Sequence, residues 1–121
     1  MQTFLPYADF KQCAKVLDYR RLGKQRLEAR QIIHALLGQS KGWRHHTITK
    51  KWEGYTVALT QYYNAMVREW IARGYRNTME LYPDEYDYPR PPWTDDPAIH
   101  KEYQRILLQK DAEYYGQFFT D

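Results

Sequence analysis

The sequence has a single cysteine, Cys13, which excludes an intramolecular disulfide. Such sparing use of cysteine fits a reducing, cytoplasmic setting. No apolar run approaches the roughly 18–20 residues that cross a membrane, so no membrane role is expected. The opening MQTFLPYADF lacks the charged stretch followed by an apolar one that marks a secretory signal. Alternating strand-like runs, repeats and low-complexity tracts are absent too. The four histidines, His34, His45, His46 and His100, could meet on a metal only through the fold, because no ligand spacing such as HExxH occurs. Neither a metal nor a cofactor is expected.

What is present is aromatic and unevenly charged. Hydrophobic residues make up 43% of the 121, enough for one core and one domain. Twelve tyrosines and four tryptophans exceed what most cores of this size need. Such side chains suit half-apolar, hydrogen-bonding surfaces, including base-stacking platforms. The net charge of +3 says little by itself. Its distribution says more: Lys11 to Arg30 holds seven basic and two acidic residues, whereas Glu80 to Asp96 holds six acidic and one basic. One face for an anion and another that repels it, or contact between the two segments, would account for this polarity.

The periodicity is helical. Asp9 is a plausible N-cap for a first helix carrying Phe10, Cys13, Ala14 and Leu17. The pattern resumes through Leu22, Ala29, Ile32, Ile33 and Leu36, and Gly38 terminates it. Gly23 marks an expected break or bend. After a loop over residues 38–47, a stripe of Trp52, Tyr55, Leu59, Tyr62, Met66 and Trp70 predicts a long helix, with Thr47 or Thr49 at its start and Gly74 at its end. The proline- and tyrosine-rich segment 77–96 is expected to wrap over the helices. Asp96-Pro97 reads as an N-cap with proline at the first helical position. The expected fold is all-α: a compact single domain spanning 1–121, with three to four helices, a long Pro/Tyr-rich loop and an aromatic tail.

Candidate site residues cluster on VLDYRRLGKQRLEARQII, Val16 to Ile33. On a helix, Arg20 and Lys24 share one face, while Asp18, Arg21, Gln25 and Glu28 share another. Arginine forks bind phosphate oxygens bidentately, although a salt-bridged solvent face would give the same pattern. The loop residues Trp43, Arg44, His45 and His46 are candidates for ligand contact, or else face solvent. Trp43, Tyr55 or Tyr115 could stack on a base. Cys13 lies on the apolar stripe and reads as a small core residue. A model α-amino group has a pKa near 8, so a neutral fraction able to attack a sugar C1′ exists near neutral pH. That chemistry matters here only if the fold brings the N-terminus beside the basic helix.

DYRRLGKQR, REWIARGYRN and EYYGQFF occur in the order found in the pyrimidine dimer DNA glycosylase family, the phage endonuclease V type. MQTFLPYADF, GWRHH, PPW and LLQKDAEYYG resemble a bacterial and phage branch of it, and the resemblance spans nearly the whole chain. It implies a compact helical protein that binds damaged DNA, kinks it and flips a base out. It implies an N-terminal amine that attacks C1′, a helical glutamate that assists, arginines that hold phosphates, and strand nicking by β-elimination. Arg20 and Lys24 fall at two family arginines, and Tyr114, Tyr115 and Gly116 match a C-terminal Tyr-Tyr-Gly. Arg73 and Gly74 match the end of the long helix. Arg21 stands where the family glutamate is expected, and Glu28 lies about two turns further on the same face. Residue 2 is Gln2 rather than a small residue, which makes Met1 the expected nucleophile and Glu28 its acid. The expected function is base excision on damaged or modified pyrimidines, with a non-catalytic nucleotide-binding protein using the same pocket as the alternative. The expected partner is DNA or a nucleotide, and an aromatic-rich surface of this size leaves room for a homodimer.

Overall fold

The computed structural model describes residues 1–120. Six α-helices and one 3₁₀ turn form an all-α domain, with no strand among the described residues. The helices are α1 (Phe10–Val16), α2 (Tyr19–Leu36), α3 (Thr47–Trp52), α4 (Thr56–Ala72), α5 (Pro97–Lys110) and α6 (Ala112–Tyr115).

Local chemistry sets most boundaries. The Asp9 carboxylate accepts from Lys11 N at 2.8 Å and starts α1. Asp96 accepts from Ala98 N at 2.9 Å, with Pro97 as the first residue of α5. Gly38 and Gly74 follow α2 and α4 with φ of 74° and 86°, which glycine adopts without steric cost.

Two expected boundaries lie elsewhere. The first helical run breaks at Leu17, whose backbone is extended, and Asp18 caps the new helix. Gly23 sits inside α2 because Trp70 packs against it: a Cβ there would lie 3.1 Å from the indole. The long aromatic stripe is divided between α3 and α4 by Gly54, which has φ 85°. Neither Thr47 nor Thr49 caps α3. His46 does so, its Nδ1 accepting from Ile48 N at 3.2 Å, while Thr49 is buried and donates to Trp43 O.

The core joins Leu22, Ala29, Ile32 and Ile33 of α2 to Leu59, Tyr62, Met66 and Trp70 of α4, with Phe10, Cys13 and Ala14 of α1 beside them. Each such large apolar side chain contributes roughly 1.5–3 kcal/mol on burial. Cys13 is a core residue: its S–H donates to Tyr7 O at 3.1 Å, and burial pushes the thiol up to about 12. The segment 77–96 does wrap the helices. Tyr63 donates to Glu80 O, Asn64 exchanges two hydrogen bonds with Tyr82, and Arg90 reaches Ala8 O over the Phe10 ring.

Candidate functional site

The N-terminal segment is threaded through the core. Thr3 and Leu5 are fully buried. Thr3 Oγ1 accepts from the Trp52 indole at 3.0 Å, and Phe4 O accepts from the Tyr62 hydroxyl at 2.8 Å. Gln104 holds Pro6 O at 2.8 Å. These ties leave Met1 and Gln2 little choice of position, and they emerge beside α2.

Gln25 completes the placement. Its Oε1 accepts from Phe4 N at 2.9 Å and from the Tyr62 hydroxyl at 2.5 Å. Its Nε2 donates to Gln2 O at 2.9 Å and to Glu28 Oε2 at 3.1 Å. The amide therefore uses both donors and both acceptor positions within the protein. Glu28 Oε2 also accepts from Gln2 N at 3.4 Å. Three covalent bonds separate the Met1 nitrogen from Gln2 N. The amine therefore lies within about 7 Å of that carboxylate oxygen.

Around this point lies a recess of about 310 Å³, lined by Met1, Gln2, Phe4, Arg20, Arg21, Lys24, Gln25, Glu28 and Lys110. Arg20, Lys24 and Lys110 are exposed. Arg21 is fixed: its guanidinium donates to Asp18 Oδ1 at 3.1 Å and lies 5.9 Å from the centre of the Tyr115 ring. Partial burial alone would raise the Asp18 pKa, but hydrogen bonds from Tyr115 and Arg21 together hold its carboxyl below the usual range. Four cationic side chains thus face one carboxylate and an amine, an arrangement that attracts phosphate.

The structure brings Met1, Glu28, Arg20, Arg21 and Lys24 to one recess; helical spacing groups the α2 residues on two faces, and the fold alone places Met1 beside them. It corrects two other expectations. Gln25 lines the recess but has no hydrogen-bonding capacity left for a phosphate; it holds the N-terminal segment in place. Tyr115 is fully buried, its hydroxyl donating to Asp18 Oδ1 and its ring stacked on Phe119. No base can stack on it, and it ties α6 to the start of α2. Trp43, Arg44, His45, His46 and Tyr55 do not line the recess. Trp43 packs on His46, whose ring is committed to its cap. Arg73 is structural, donating to Ala14 O, Lys15 O and Leu17 O at the end of α1.

Lys110 is the site residue the sequence conceals. It is the last residue of α5, and only the fold carries it to a recess built from the first 28 residues. Its sole local signal is a basic residue in a helix's last turn, which reads equally well as a dipole contact.

Among the described residues, no three His, Cys, Asp or Glu side chains converge as a metal-ligand set. No helix is long and apolar enough to cross a membrane. No curated protein and no solved structure matches the chain significantly. A family model described as pyrimidine dimer DNA glycosylase matches residues 1–83, a span that includes α1 to α4 and every recess residue except Lys110. With more than half of its 121 residues matched, the chain belongs to the pyrimidine dimer DNA glycosylase family.

Proposed function

We propose that the chain is a DNA glycosylase/AP lyase that attacks damaged or modified pyrimidine nucleotides through the amine of residue 1. The observation that carries this reading is the placement of residues 1 and 2 beside the Glu28 carboxylate inside a cationic recess. Arg20, Arg21, Lys24 and Lys110 hold phosphates on either side of the target nucleotide. The neutral amine attacks C1′, the glycosidic bond breaks, and the base leaves with its electron pair. Glu28 takes the proton from the amine and returns one to the sugar ring oxygen or the departing base. The nitrogen lone pair then breaks the C1′–O4′ bond, O4′ taking a proton and C1′ forming the imine; the imine acidifies C2′, whose proton is lost, and the 3′ C–O bond breaks with phosphate as leaving group.

Borohydride reduction tests the mechanism. Incubated with abasic-site or dimer-containing DNA and reduced, the protein is expected to form a one-to-one covalent adduct at residue 1. Absence of an adduct, or its persistence when the N-terminal amine is blocked, overturns the mechanism.

A second reading, a nucleotide-binding protein without catalysis, is favoured by Arg21 at the family's glutamate position. A recess of about 310 Å³ also suits one nucleotide. Calorimetry separates the two: tight binding of a mononucleotide with weak salt dependence supports the second reading, and a steep fall with salt supports a DNA footprint.

A further inference from the structure

The flank of α2 away from the recess carries an aromatic group that the proposed chemistry does not use. Tyr19, the first residue of α2, is 53% exposed, and Tyr75 is 37% exposed. One face of the Tyr19 ring stacks on Trp70, with centroids 5.3 Å apart and planes 22° apart. Tyr75 meets Tyr19 edge-on at 4.7 Å. Beneath them, the Arg26 guanidinium lies 3.9 Å from the Trp70 ring centre. The stack is held from three sides. Gly23 admits the indole, the indole N–H donates to Arg76 O at 2.8 Å, and the turn after Gly74 returns Tyr75 to the ring.

We propose that Tyr19 and Tyr75 form a platform on which an unpaired base of bound DNA stacks. The proposal rests on the reading that α2 lies against DNA. Nine residues separate Tyr19 from Glu28, which at about 100° per residue puts them on opposite flanks of the helix. Arg20 and Lys24 project between them. A strand whose phosphates meet those two cations therefore has the recess on one side and the platform on the other. The surroundings favour a base over an apolar partner. Arg20, Lys24 and Arg76 are exposed cations, whereas Asp18 is committed to Arg21 and Tyr115, and Glu69 to Arg73. A preorganised ring pair loses little freedom on binding, and base–aromatic stacking tolerates any base.

The test compares two labelled duplexes, one fully paired and one with a single unpaired base, by fluorescence polarisation at several salt concentrations. The wild-type chain is expected to bind the second more tightly. Tyr19→Leu, which keeps apolar cover over Trp70, should weaken that probe roughly tenfold and the paired duplex less than about twofold. The salt slope stays unchanged, because no phosphate contact is lost. Tyr19→Phe should keep the preference. Tyr75→Ser, at the platform's edge, gives a second variant with a loss of roughly threefold confined to the unpaired probe. Equal weakening of both probes, or of neither, overturns the platform. A wild-type chain that binds neither duplex overturns the proposed function along with it, whereas normal adduct trapping with no effect of Tyr19→Leu overturns the platform alone.

Discussion

Gln25 and Glu28 stand one turn apart on α2 and divide the work of the site. Gln25 carries no charge and fixes backbone; Glu28 carries the charge. Glu28→Gln preserves an acceptor for Gln2 N and Gln25 Nε2 while removing the carboxylate. If Glu28 moves protons, trapping and nicking rates should fall by about 100-fold or more, the size of a general acid–base contribution. Thermal stability should stay within about 0.5 kcal/mol of wild type. An unchanged rate would show that Glu28 only positions the N-terminus. Gln25→Leu has a different signature. It leaves Phe4 N and Gln2 O without a partner in or near the core, while the Tyr62 hydroxyl keeps Phe4 O. The expected loss is about 2–3 kcal/mol, read from urea unfolding, together with loss of trapping, because the amine is no longer held.

At the scale of elements, the start of α2 is a junction. Asp18 caps the helix, binds Arg21 and accepts from Tyr115 of α6, while Arg73 of α4 secures the carbonyls at the end of α1. Because the folded Asp18 pKa is depressed, its stabilisation is fully present above the unfolded value of about 3.9 and is lost as pH falls through the folded value. Asp18→Asn keeps a capping oxygen. It should cost about 1 kcal/mol at pH 7, the difference between charged and neutral hydrogen bonds, and the gap to wild type should shrink below about pH 4. Thermal melts at pH 7 and pH 3 check this; a gap that does not narrow would assign the junction to packing. The junction also shows what was legible in the sequence. Caps at Asp9 and Asp96 and stops at Gly38 and Gly74 are decided by the residues themselves, so they could be read. The face shared by Asp18, Arg21, Gln25 and Glu28 follows from helical spacing alone. Gly23 misled because its reason lies in Trp70, 47 positions away, and Tyr115 misled because its burial depends on α6 docking against Asp18.

At the scale of the whole molecule, the charge asymmetry is spatial as well as sequential. None of the six acidic residues between Glu80 and Asp96 lines the recess. Part of that segment is neutralised locally, Asp84 by Arg68 at 2.7 Å and Asp95 more loosely by Arg90 at 3.8 Å. The recess draws its cations from both ends of the chain, and this makes the contribution of the last third measurable. If Arg20, Arg21, Lys24 and Lys110 each neutralise one phosphate, log K for duplex DNA should fall against log salt with a slope of about −3 to −4. Arg20→Ala, Lys24→Ala and Lys110→Ala should each reduce that slope by about 1, with stability little changed at these exposed positions. Lys110 is the decisive case, because it lies beyond the 83 residues that the family model covers. Unchanged salt dependence in Lys110→Ala would confine the DNA contact to α2 and the N-terminal segment. A reduced slope means that α5, arriving from the far end of the chain, completes the phosphate grip.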